Sequence, residues 1–202
     1  MAQTAERLRP RRKDDLVRAA ARLFSERGYH GTSMQHLGEA LGLQRSSLYA
    51  HIGSKEELLR DVVLEGAEAF LGRAGAVAEG PGSATERLGA LLCAHIETVV
   101  GHLEAATVFL NEWRYLSDGH RAEVKALRDR YEGIFRAVIE DGIAAGEFRA
   151  DLNPRHAAKL VLSAANWTYT WFRPGGELSA EDAGRTFADM IVRGFQQRGD
   201  ER

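Results

Sequence analysis

Gln44-Arg45-Ser46-Ser47 sets an amide, a guanidinium and two hydroxyls in a row, with a phenol at Tyr49, an imidazole at His51 and an ammonium at Lys55 close behind. The Arg45 side chain is long and forked enough to meet a guanine edge with two hydrogen bonds. Gln44, Ser46 and Ser47 can bond base edges or phosphates. Tyr49 admits two readings, since a phenol packs and donates at once: a polar contact or a piece of core. Lys55 falls in the first turn of a predicted helix, where its charge opposes the helix dipole. That departure from a stability optimum suits a residue serving phosphate.

The elements that must position these groups are legible around them. Ser33 or Thr32 can cap a short helix whose Met34, Leu37 and Leu41 share one face. Gly42 then supplies the permissive backbone that a sharp reversal needs. After the turn Leu43, Leu48 and Ile52 look inward, leaving the polar groups outside. Ser54-Lys55-Glu56-Glu57 fits a capping box that opens a longer helix at once. A short helix, small and polar at its exposed start, suits the major groove. The spacing predicts a helix-turn-helix; the rival reading is a helix-turn-helix that packs on protein.

The order Phe24…Gly28-Tyr29…Gly31-Thr32-Ser33-Met34…Leu37…Leu41-Gly42-Leu43…Leu48-Tyr49…His51-Ile52-Gly53-Ser54-Lys55-Glu56-Glu57-Leu58 resembles the DNA-binding domain of TetR-family transcriptional repressors over roughly the first 60 residues. Ser46 stands where many members carry glycine, and Ala50 where a larger polar or aromatic residue is common. The operator sequence is therefore unreadable by analogy. The resemblance implies phosphate contacts from Thr32, Tyr49, His51 and Lys55. With Ser33, Gln44, Arg45, Ser46 and Ser47 these form the candidate DNA-binding set.

Charge agrees with a basic head on an acidic body. The 202 residues have a net charge of −2, but residues 1–60 carry 11 Lys/Arg against 7 Asp/Glu and residues 61–202 carry 16 against 22. The Arg-rich start, MAQTAERLRPRRK, reads either as a tail or as an arm whose Arg9, Arg11, Arg12 or Lys13 meets phosphates or a minor groove. No apolar signal region follows it, and no run is long enough to span a membrane, so a cytoplasmic protein is expected. The lone Cys93, in the apolar run Leu91-Leu92-Cys93-Ala94, reads as a buried structural thiol rather than a redox sensor.

Beyond the head the periodicity is helical throughout. A first helix over about 12–27 carries Leu16, Ala19, Ala20, Leu23 and Phe24 and stops at Gly28. Further helices are expected from Lys55 to Ala78, from a Ser83/Glu86 capping box to Val100, over 103–116, over 120–145, from Asn153-Pro154 to Phe172, and from Ser179 to about Gln197. Nothing alternates at period two for long enough to suggest a sheet. The expected fold is all-α, nine helices of the TetR type. A DNA-binding head over 1–54 with a basic arm would precede an effector-binding and dimerisation body over 55–202. The helix starting at Lys55 could carry a change in the body to the head as a lever.

Other chemistries lack a constellation. The seven histidines show no ligand-like clustering, no glycine-rich phosphate loop follows a strand, and no serine sits in a nucleophile elbow. An all-helical enzyme is the remote alternative; no catalytic residue, cofactor or metal is called for. The resemblance implies instead a homodimer on a palindromic double-stranded operator, released by a small-molecule effector, although the head alone does not fix repression over activation. The family pairs its last two helices across a twofold, which here assigns Leu160, Ala164, Thr168, Phe187, Ile191 and Phe195 to the dimer interface. The rival reading gives both stripes to the monomer's own core.

The aromatic set Phe109, Trp113, Tyr131, Phe135, Trp167 and Trp171, with Arg114, reads as an apolar effector chamber, or residue by residue as ordinary core. The stretches Asn111–Leu116, Asp129–Glu132, Gly146–Phe148 and Asn166–Pro174 resemble the branch of the family that controls fatty-acid or sterol catabolism and answers to acyl-CoA thioesters. An anionic head would then call for arginines, with Arg114, Arg128 and Arg173 as candidates by type. The alternative is a drug-efflux repressor answering to a hydrophobic or cationic compound, where Glu112 or Glu132 would matter more.

Overall fold

Local hydrogen bonds at helix ends explain most of the architecture. The structure, a computed structural model, describes residues 13–44, 48 and 52–196. These hold nine α-helices: α1 Lys13–Gly31, α2 Met34–Leu41, α3 Lys55–Ala78, α4 Ala84–Gly101, α5 Leu103–Asn111, α6 Asp118–Ala144, α7 Pro154–Asn166, α8 Thr168–Trp171 and α9 Ala180–Phe195, with a 3-10 turn at Trp113–Tyr115. Among the described residues the one extended pairing is a single antiparallel bridge between Phe148 and Gln196. No helix of the described residues is long and apolar enough to cross a membrane.

The predicted caps close as hydrogen bonds. The Ser33, Ser83, Asn153 and Ser179 side chains accept from the N–H groups of His36, Glu86, His156 and Asp182. Each satisfies a helix-terminal donor that has no intrahelical partner. Gly28 interrupts α1 with φ 74° and ψ 162°, and Gly42 ends α2 at φ 65° and ψ 28°.

Two helices are shorter than their sequence patterns predict. Over 103–116 the α-helix ends at Asn111, whose side-chain amide donates to the Thr107 carbonyl at 3.0 Å, and the chain tightens into the 3-10 turn. Over 154–172 the helix breaks at Trp167, whose carbonyl takes the Thr170 hydroxyl at 2.7 Å and the Thr170 N–H at 3.1 Å. Side-chain bonds of this kind compete with the helical ladder.

Packing divides the chain into two units, Met1–Ala67 with Glu104–Val124, and Glu68–Leu103 with Lys125–Arg202. α3 and α6 contribute residues to both. In the first unit Leu16, Leu23, Phe24, Leu37, Leu48, Leu58, Leu59 and Val62 are buried. α3 meets α5 closely there, because a Cβ on Gly66 would lie 2.9 Å from that of Phe109. In the second unit α4 packs chiefly against α9. Gly184 is the contact point, since a Cβ there would come within 2.9 Å of the Cys93 Cα. Cys93 is half-buried rather than buried as its apolar run suggests, and burial, with Glu97 adding to the shift, pushes its thiol up. Glu147 spans 63 residues to accept from the Ala84 and Thr85 N–H groups at 2.9 and 2.8 Å, placing a carboxylate at the α4 N-terminus.

Candidate nucleic-acid interface and effector body

The reading head is built from Ser33 onward. Ser33 Oγ accepts from His36 N while Ser33 N donates to His36 Nδ1, both at 3.2 Å. α2 then runs to Gly42, and Gly38 lets the chain turn back tightly: a Cβ there would stand 2.8 Å from the Leu43 carbonyl oxygen. Leu48 N donates to Gln44 O at 3.0 Å and Ile52 N to Leu48 O at 3.1 Å, the four-residue step of a helix. Leu48 and Ile52 are buried, as the pattern predicts, and Gln44 is exposed. Arg45, Ser46, Ser47, Tyr49 and His51, like the basic arm, lie outside the described residues.

Thr32 takes a different place from the one assigned by resemblance. Its hydroxyl is buried and donates toward the Leu23 and Gly28 carbonyls, 3.1 and 3.0 Å away. It ties off the end of α1 rather than presenting a polar group to solvent. Lys55 places its Nζ 4.1 Å from the centre of the Tyr29 ring, a cation–π contact that fixes the ammonium beside the head. Burial pushes the Lys55 ammonium down and the Tyr29 phenol up.

A second set of contacts, which the sequence reading missed, ties the head to the segment 112–123 inside the same unit. Tyr29 N donates to Glu112 Oε2 at 2.7 Å, and the Tyr29 ring stacks on Tyr115 at 6.0 Å and 13°. Glu56 accepts from Ser117 N and pairs with His120 Nδ1, each at 2.9 Å. Hydrogen bonds from the Ser117 side chain and backbone, then from His120, hold the Glu56 carboxyl down at about 2. One turn on, Arg60 grips Glu123 with two 2.8 Å bonds.

The effector candidates divide between the units. Phe109, Trp113 and Arg114 belong to the first; Tyr131, Phe135, Trp167 and Trp171 belong to the second. Tyr131 and Phe135 are buried, 5.4 Å apart, in an aromatic cluster with Phe70 and His95. The two tryptophans lie elsewhere. Trp167 is 62% exposed, and Trp171 stacks on Phe187 at 5.9 Å and 16°.

The dimer candidates sort by face. Ala157, Ala158, Val161 and Ala165 of α7 and Ala183, Gly184, Ala188 and Val192 of α9 supply the buried stripes. Leu160 is 59% exposed and Met190 58%, with Ala164, Phe187 and Ile191 half-buried beside them. Leu160 and Met190 thus lie outside the buried stripes, while Ala164, Phe187 and Ile191 are only partly exposed. Thr168 and Phe195 are turned inward instead, Thr168 fully buried and Phe195 packed edge-on against Phe148 at 6.0 Å.

The comparisons agree with this geometry. Residues 16–62 match the model for bacterial regulatory proteins of the tetR family, and residues 81–195 match the tetracyclin repressor-like C-terminal domain. The chain is 27% identical over 191 residues to the HTH-type transcriptional repressor KstR2 of Mycolicibacterium smegmatis, covering 94% of this chain and 93% of that protein. The TetR-family regulator PfmR of Thermus thermophilus superposes with a TM-score of 0.82 at 35% identity, covering 93% of this chain and 99% of that one. AibR, solved with isovaleryl coenzyme A and operator DNA, gives 0.80 at 29% identity, covering 91% and 97%. The chain belongs to the TetR family of bacterial transcriptional regulators.

Proposed function

We propose that the protein is a ligand-responsive repressor that binds a near-palindromic operator as a homodimer and lets go when an acyl-CoA thioester occupies its body. It works in the cytoplasm, where the operator is, and as a regulator rather than an enzyme. Residues 1–54 supply the DNA contacts, with Gln44, Arg45, Ser46 and Ser47 at base edges and Tyr49, His51 and Lys55 at phosphates; residues 55–202 supply effector binding and dimerisation. The observation that carries the reading is the capped α2, its reversal at Gly42, and the buried Leu48 and Ile52 behind an exposed Gln44. Two such heads on a twofold would meet successive major grooves.

The twofold is assigned to the outward residues of α7 and α9: the exposed Leu160 and Met190 with the half-buried Ala164, Phe187 and Ile191. A face of that kind on two helices suits a partner of the same shape. The effector's apolar part is assigned to the neighbourhood of Tyr131 and Phe135, and its anionic part to the exposed Arg173. Glu112, just after α5, holds Tyr29 of the head, and Glu56 and Arg60 join the first turns of α3, directly behind the head, to Ser117 and Glu123. A shift there would therefore move the head with it.

The reading is tested by titrating the protein–operator complex with acyl-CoAs, the matching free fatty acids and cationic dyes. Release by a thioester and not by its free acid is expected. Release by the dyes alone would move the protein to the efflux-repressor class.

A further inference from the structure

The ammonium assigned to a phosphate is held by a ring rather than by a carboxylate. Lys55 opens α3, and its Nζ lies over the Tyr29 ring, 4.1 Å from the centroid. The acids beside this pair are engaged by other donors. Glu56 accepts from Ser117 N and pairs with His120, and Glu112 accepts from the Tyr29 N–H at 2.7 Å. Burial shifts the Lys55 ammonium, and among the described residues no carboxylate counters that shift. A carboxylate partner would neutralise the charge and take up its donors. An aromatic face attracts the cation, leaves it positive and leaves N–H donors for an anion.

The ring itself is fixed by contacts that do not involve Lys55. Gly28 breaks α1 with φ 74°, and the Tyr29 N–H that follows the break is taken by the Glu112 carboxylate. Tyr115 stacks on the ring at 6.0 Å and 13°, and Phe24 meets it edge-on at 5.6 Å. All of these residues belong to the first unit. Tyr29 and Lys55 are both half-buried, outside the set of residues that makes the core of that unit. A lysine has a flexible four-carbon stem, and ordering such a side chain on binding costs free energy. A ring already held in place meets part of that cost before DNA arrives.

We propose that Tyr29, fixed by Glu112 and Tyr115, is a positioning residue for DNA binding, its ring presenting the Lys55 ammonium to a backbone phosphate. The proposal rests on the phosphate reading of Lys55 above and adds the residues that aim it. A displacement of Glu112 would move the ring and the ammonium with it, so the segment after α5 acts on a DNA contact through two side chains.

The test uses the full-length protein, with fluorescence anisotropy on DNA from upstream of its own gene and on a scrambled duplex over a salt series. Tyr29→Leu is expected to weaken both duplexes about two- to fivefold, the worth of an aromatic hold on a partly exposed cation. It should also lower the salt slope toward that of Lys55→Ala. A trifluorinated phenylalanine in place of Tyr29 keeps the ring's shape but cancels its negative face, and should behave as Tyr29→Leu does. The conservative Tyr29→Phe, which keeps that face, should restore binding. The double variant Tyr29→Leu/Lys55→Ala should be no weaker than Lys55→Ala alone, because both changes remove one contact. Losses that add, or a trifluorinated protein that binds as well as Tyr29→Phe, would make Tyr29 a structural residue of the head and overturn the proposal. Should Tyr29→Leu fail to fold, the fluorinated and plain phenylalanine variants decide by themselves. Lys55→Ala without effect on affinity or salt slope would overturn the phosphate reading and the proposal together. Weakened binding in Lys55→Ala with none in the Tyr29 variants would overturn the proposal alone.

Discussion

Placing an arginine at Leu160 and another at Ile191 is expected to turn the protein into a folded 22.3 kDa monomer that no longer holds its operator. Leu160 points outward from α7 and is 59% exposed; Ile191 lies half-buried on the outer side of α9. Neither belongs to the buried stripes that close the second unit, so the monomer should keep its helicity and melting behaviour. At an apolar twofold, by contrast, an unpaired buried charge costs about 3–5 kcal/mol. That corresponds to a rise of roughly two to four powers of ten in the dimer dissociation constant. Sedimentation at micromolar concentration reads the mass, and operator binding on the same samples should fall with it. A double variant that sediments as the wild type does would place the twofold elsewhere.

Lowering the pH from 8 to 4.5 is expected to destabilise the protein by about 3 kcal/mol through His95 alone. The unfolded imidazole binds its proton near 6.5 and the buried one only near 3, so the unfolded state takes up more protons throughout that interval. Stability is therefore full above 6.5 and falls as the pH drops toward 3, by about 1.4 kcal/mol per pH unit once well below 6.5. Glu56, held at about 2 against an ordinary 4.5, and the lowered carboxyls of Glu123, Glu147 and Asp182 begin to add their losses from about one pH unit above their ordinary values downward. The upper part of the stretch below 6.5 therefore reports His95 ahead of these carboxyls. Urea unfolding across it should show the slope in the wild type, and His95→Gln should remove that contribution. An equal slope in the variant would assign the proton uptake to another group.

What could be read from the sequence was whatever depends on a few neighbouring residues. Ser33, Ser83, Asn153 and Ser179 act three residues down the chain, and Gly28 and Gly42 act on their own backbone, so all six positions were legible. The apolar stripe from Leu58 to Phe70 was legible because helical periodicity alone sets it. Contacts between distant segments left no local mark. Glu112 reaches Tyr29 over 83 residues, Glu147 reaches α4 over 62 and 63, and His95 meets Tyr131 over 36. Nothing in the sequence around His95 separates it from the other six histidines. The pattern puts Trp167 and Trp171 together in one apolar chamber, but with the helix broken at Trp167 one ring lies in solvent and the other on Phe187. Thr32 shows a second limit: the resemblance implies a phosphate contact at this position without naming the atom, and the fold turns its hydroxyl to two carbonyls of α1.

The central claim, that the head reads DNA by sequence, is tested most directly by fluorescence anisotropy on DNA from upstream of the protein's own gene and on a scrambled duplex, over a series of salt concentrations. The wild type should prefer the upstream DNA, with affinity falling steeply as salt rises. Arg45→Ala should lose about 1–3 kcal/mol on the upstream DNA and little on the scrambled duplex, because it removes a base contact. Lys55→Ala should weaken both alike and lower the salt slope by about 1, because it removes a phosphate contact. Equal binding of the wild type to both duplexes, or the same loss from both variants on both DNAs, would contradict the account.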